Sequence, residues 1–181
     1  MKYSISLSNQ SNRSNMQIAP ANNIIQSNNY HCANAKPANI FSLAKAFLSI
    51  SSMTNKKLQK LCYYAKAWYL ALYDTNLIPE SFQAWVHGAV QPDLYNKYKK
   101  YGYENIPKCE NTQDVPDEFI YFAKEVYASY GHLSGDELEQ INHQETPWIN
   151  ARGQCKPWEK CSTEIAENDM KTFYRNMIIN E

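Results

Sequence analysis

Between Thr54 and Leu72 the apolar residues recur at helical spacing on two sides at once. Leu58, Leu61, Cys62, Ala65, Trp68, Tyr69 and Leu72 fall on one face. In the second half Tyr63, Ala67, Leu70 and Ala71 fall on the opposite side. A helix apolar on two faces has to be covered on both, so this segment is expected to run through the middle of a helical domain. Thr54 is the expected N-cap, and Lys56, Lys57 and Lys60 are the expected solvated stripe at its start.

The flanking segments supply helices to cover it. Ile40, Leu43, Ala44, Phe47 and Leu48 keep helical spacing behind Asn39, a good N-cap. Pro92 suits the first turn of a helix carrying Leu94, Tyr95, Tyr98 and Tyr101, which Gly102 ends. Pro116 with Asp117 and Glu118 opens another helix, lined by Phe119, Phe122, Ala123, Val126 and Tyr130. Ser134 and Glu137 have capping-box spacing before Leu138 and Ile141. Thr146-Pro147 starts a short turn holding Trp148, and Met170, Phe173, Tyr174, Met177 and Ile178 line a last helix. Phe82-Gln83-Ala84-Trp85-Val86 alternates briefly, as a short strand would. The expected class is all-α: about seven helices and at most one short β-hairpin near residues 77–90.

Residues 1–38 differ in kind. They are rich in Asn and Ser, contain no acid, and scatter their apolar residues without a period. Such a leader is expected to be disordered or weakly ordered, since it buries too little surface to offset its ordering entropy; the alternative is an extra strand or helix packed on the domain. Residues 39–181 are expected to form one helical domain.

Composition narrows the function. The 181 residues carry a formal net charge of +0, which argues against nucleic acid as the main ligand. No apolar run of membrane-spanning length occurs and no secretion signal is visible. The five cysteines are odd in number and include no C-x-x-C pair, which fits a reduced, cytoplasmic protein. Nucleotide-cradling glycine motifs and a nucleophile elbow are absent. His87, His143, Glu145 and a cysteine have no spacing that demands a metal site. A Cys62–His143 nucleophile is disfavoured because Cys62 lies on the core face, where a buried thiol is inert. No catalytic, cofactor-binding or metal-binding residue is therefore assigned.

The neutral total hides two opposed halves. Residues 54–101 hold seven lysines against three acids, and residues 110–145 hold nine acids against one lysine. Either these halves attract each other within the fold, or they form a polarised surface that steers a charged partner. Tyr64, beside the lysine stripe, and Tyr103 and Tyr121, off the main apolar faces, are candidate partner-binding residues together with Lys56 and Lys60.

Three segments carry a resemblance. Residues 58–68 (LQKLCYYAKAW), residues 82–92 (FQAWVHGAVQP) and residues 134–148, with SGDEL and NHQETPW, resemble in order the signatures of the Panacea domain family of SocA-type, phage-associated antitoxins. Ala89 stands where the family pattern has proline, and Asn142 where it has threonine. The resemblance covers about residues 40–179. It implies a protein that neutralises a cognate toxin by direct binding and that has no reaction of its own. Other readings are a proteolysis adaptor or phage-borne regulator, a metal- or thiol-dependent enzyme, and a nucleic-acid binder using the 54–101 lysines. Trp68, Trp85, Gly88, Pro92, His143 and Trp148 are read as residues that define the fold.

Overall fold

The structure is a computed structural model, and it describes residues 5–7, 16–18 and 38–179. The leader expectation lies outside the described residues, apart from β1 (Ile5–Leu7) and β2 (Met16–Ile18), which pair antiparallel. Seven α-helices follow among the described residues: α1 (Ile40–Ile50), α2 (Asn55–Tyr73), α3 (Pro92–Tyr98), α4 (Asp117–Tyr130), α5 (Gly135–Asn142), α6 (Thr146–Arg152) and α7 (Glu167–Ile179). The mostly helical class read from the sequence is the class observed.

The caps sit where the sequence puts them. Asn39 accepts from the N–H groups of Phe41 and Ser42, and Thr54 accepts from that of Lys57. Ser134 and Glu137 close a reciprocal capping box. Each cap satisfies donors that a helix start leaves orphaned, worth about 1 kcal/mol apiece.

α2 is the axis of the core. From Leu58 to Ala71 every residue is buried. α1, α4, α5 and α7 pack around it. Its aromatic residues interlock with the shell: Tyr64 stacks on Tyr130 at 4.2 Å, and Trp68 meets Tyr174 edge-on at 4.7 Å. The Trp68 indole N–H donates to Tyr130 Oη at 2.9 Å, so this large ring is buried with its polar atom satisfied.

A hairpin forms within the expected stretch. β4 (Gln83–Trp85) pairs with β5 (Gly88–Val90), Ala84 facing Ala89. Along β4, Phe82 and Ala84 turn inward while Gln83 and Trp85 are half-buried, the period of two that a strand imposes. A second pair, β3 (Met53–Thr54) with β6 (Asn105–Ile106), ties the loop after α3 to the entry of α2. Two residues per strand are too few to leave an alternation in the sequence.

Candidate partner-binding site

Both edges of the hairpin are occupied. On the β4 side, the Ala84 N–H donates to Thr163 O at 2.9 Å and the Ile165 N–H donates to Phe82 O at 2.7 Å. On the β5 side no strand is needed, because side chains from two helices take its place. Gln59 Oε1 accepts from the Gln91 N–H at 2.8 Å, and Lys60 Nζ donates to Ala89 O at 2.9 Å. Asn142, from the end of α5, accepts the Ala89 N–H on Oδ1 at 2.6 Å and donates through Nδ2 to Glu145 Oε2 at 2.9 Å. Gln91 also caps α3, its Oε1 accepting from the Leu94 N–H at 2.7 Å. Every one of these side chains is buried, so each bond answers a group that would otherwise lack a partner.

Gly88 makes room for this arrangement. Its φ is +88°, and a Cβ there would lie 2.6 Å from Lys60 Nζ and 2.7 Å from Asn142 Oδ1. Both the backbone angle and the space require glycine.

Two ionisable groups, Lys60 and Glu145, are buried here. Burial lowers the Lys60 ammonium to a pKa of about 7, with Glu139 and Glu145 pulling the other way. Burial likewise raises the Glu145 carboxyl to about 7, against the favourable Asn142, Tyr174 and Tyr64 side chains and the Lys60 charge. The hydroxyls of Tyr63 and Tyr174 are buried nearby without a well-aligned hydrogen bond.

Outside this enclosed cluster lies a half-exposed band. The His143 ring stacks on Trp148 at 4.3 Å, and the Trp148 indole N–H donates to Trp85 O at 3.1 Å. Trp85 in turn meets Tyr95 edge-on at 5.1 Å. Beside it, Glu139 joins His87 at 2.9 Å and Lys56 at 2.7 Å, and Lys56 also reaches Asp136 at 2.7 Å. Burial holds the His143 pKa below the ordinary imidazole value. The band thus sets flat amphipathic rings beside paired charges at the surface.

The residues singled out from the sequence divide in two. Tyr103 is 99% exposed and Tyr121 63% exposed, while Lys56 is half-buried at the surface. Tyr64 and Lys60 are corrected: both are fully enclosed, because the α2 face expected to meet solvent is covered by β5, α5 and α4. The opposed charge halves do pair within the fold, through Lys56 with Asp136 and Glu139. Of the residues read as fold-defining, Trp68 is fully buried and Pro92 opens α3. Trp85, His143 and Trp148 keep one side in the core and show the other to solvent. The alternation of Phe82 and Ala84 with Gln83 and Trp85 is the sequence signal that places Trp85 on the outer face. Among the described residues no cluster of three or more His, Cys, Asp or Glu converges as a metal site, and no helix is long and apolar enough to cross a membrane.

The three sequence segments that carry the resemblance thus meet in space. Gln59 and Lys60 come from the first, Gly88 to Gln91 from the second, and Asn142 to Trp148 from the third. The family described as antitoxin SocA-like, Panacea domain, matches residues 58–149, a range that begins one residue before Gln59 and ends one residue after Trp148. No curated protein and no solved structure matches the chain. The chain belongs to the SocA-like antitoxin family and carries its Panacea domain over about half of its length.

Proposed function

We propose that this protein is an antitoxin that neutralises a cognate toxin by direct protein–protein contact in the cytoplasm of a bacterium, within a phage-associated or chromosomal toxin–antitoxin system. The observation that carries this reading is membership in the SocA-like antitoxin family. The structure is compatible with it in a particular way. Lys60 and Glu145, each moved to a pKa of about 7, are enclosed and bonded to the hairpin and α5. The aromatic side chains open to solvent, Tyr95, Tyr103, Tyr121 and Trp158, sit on the outside. Anchors of this type dominate protein–protein binding energy. The protein then works by its surface and carries out no reaction of its own.

Co-expression tests the proposal. The product of the neighbouring reading frame should arrest growth alone, grow normally alongside this chain, and co-elute with it on size exclusion. Absence of both toxicity and a complex would refute the antitoxin reading.

A further inference from the structure

A second piece of chemistry lies at the C-terminal end of α6, away from the hairpin cluster. The chain turns there through residues 153–161, and Cys155 and Cys161 stand at the two ends of the turn. The Cys155 N–H donates to Arg152 O at 2.9 Å. Cys161 Sγ lies 3.8 Å from Ala151 O and 3.3 Å from Thr163 Oγ1. Both cysteines are therefore fixed to the same last turn of α6, and their side chains interact with each other. Both are free thiols.

The loop between them is held open from inside. Arg152, 5% exposed, points its guanidinium into the turn and donates to the carbonyls of Lys156, Pro157 and Glu159. It also reaches Ala84 O of β4 at 3.4 Å. Trp158 rides on the outside of this loop at 75% exposure. The Cys161 side chain, burial and the Glu159 charge hold the Cys155 thiol above its ordinary pKa, and the Arg152 guanidinium works against them. Burial raises the Cys161 pKa, but its hydrogen bonding with Thr163, to which the thiol donates at 3.3 Å, together with Cys155 and the Arg152 charge, outweighs burial and holds the thiol below its ordinary value. The remaining described cysteines are placed differently: Cys62 is sealed in α2, and Cys109 donates to Asn111 O.

We propose that Cys155 and Cys161 form a thiol pair that closes to an intramolecular disulfide by exchange with an oxidised small-molecule disulfide such as glutathione disulfide. Cys155, half-exposed, meets the oxidant first: its thiolate attacks one glutathione sulfur, forms a mixed disulfide and releases one glutathione thiolate. The Cys161 thiolate then attacks the Cys155 sulfur and displaces the second glutathione. The pair loses two electrons and two protons, and glutathione disulfide gains them as two molecules of glutathione. The closed ring fixes the Trp158 loop against α6.

Intact-mass spectrometry of the full chain after incubation with glutathione disulfide tests this. The expected product is about 2 Da lighter than the reduced protein, with a tryptic cross-link joining Cys155 to Cys161. Cys161→Ser should instead trap a glutathione adduct of about 305 Da on Cys155. Cys109→Ser should leave the 2 Da loss unchanged. Circular dichroism of each variant confirms that it is folded. A wild-type protein that stays reduced, keeps a stable glutathione adduct, or links Cys155 or Cys161 to any other cysteine overturns the proposal.

Discussion

Asn142 Oδ1 accepts the backbone N–H of Ala89 at 2.6 Å, so the two residues noted in the sequence as unlike the signatures it resembles are bonded to each other. A proline at 89 has no N–H to give, and a threonine at 142 has no amide to span the gap and reach Glu145. The two departures are one substitution in physical terms. Ala89→Pro alone leaves the Asn142 oxygen buried without its donor, at about 1–3 kcal/mol. Asn142→Thr alone orphans the Ala89 N–H and should cost a similar amount, about 1–3 kcal/mol. In urea unfolding, the double variant should be clearly more stable than the sum of the singles requires. Strict additivity would show that the two sites are uncoupled.

Gly88 and Gly102 separate two kinds of glycine requirement. Both have positive φ, +88° and +55°, but a Cβ at Gly102 meets nothing within 4 Å. Gly102→Ala should cost about 1–3 kcal/mol, the conformational penalty alone, because its ψ of −118° lies outside the left-handed helical region. Gly88→Ala adds a collision with Lys60 and Asn142 and should cost about 3 kcal/mol or more. Equal shifts in melting temperature would mean that the space beneath Gly88 is unimportant.

The enclosed pair gives stability an unusual dependence on pH. Glu145 has a folded pKa of about 7, above the ordinary carboxyl value of 4.5. Its contribution is complete below about pH 4.5 and is lost as pH rises to about 7, by about 1.4 kcal/mol per unit. Lys60 is displaced the other way, from 10.5 down to about 7. Its contribution is complete above about pH 10.5 and is lost as pH falls to about 7. Their summed contribution is least near neutrality. Glu145→Gln should remove the acid limb of the profile and Lys60→Met the alkaline limb, each read as the difference from wild type in urea midpoint. Parallel profiles for wild type and variant would exclude the group concerned.

For partner binding the informative residues are those that leave the fold alone. Tyr103→Ala and Tyr121→Ala should shift stability by no more than about 0.5 kcal/mol. Either one, if it anchors the toxin, should weaken the complex by about 2 kcal/mol, roughly 30-fold in Kd. Tyr64→Ala, by contrast, removes a ring stacked on Tyr130 and should destabilise by about 3–5 kcal/mol. Calorimetric titration with the toxin separates the two effects. Unchanged affinity in both surface variants would move the contact to the band around Trp85, Tyr95 and Trp148.

The helices were legible because periodicity and caps are local signals. Asn39, Thr54 and the Ser134–Glu137 box each mark a start that the structure keeps. The site was legible only in part. Lys60 reads as solvated because lysine nearly always is, and its burial depends on a glycine 28 positions away in the chain. Tyr64 misled for a related reason: between Leu58 and Ala71 α2 keeps no solvent side once the hairpin and α5 are in place. Asn142 gave no sign that it would serve a strand edge, since that role exists only after three distant segments meet.

The way β5 is fastened has a consequence for how such a scaffold can change. Along the edge away from β4 the Ala89 carbonyl faces Lys60 Nζ, while the N–H groups of Ala89 and Gln91 face side-chain oxygens. A slip of one residue would set donor against donor and drive a cation toward an amide hydrogen in a dry interior. The hairpin is therefore keyed to one alignment by groups none of which lies on the outer skin. Substitutions on that skin leave the key untouched, which lets one backbone frame accept many different exteriors.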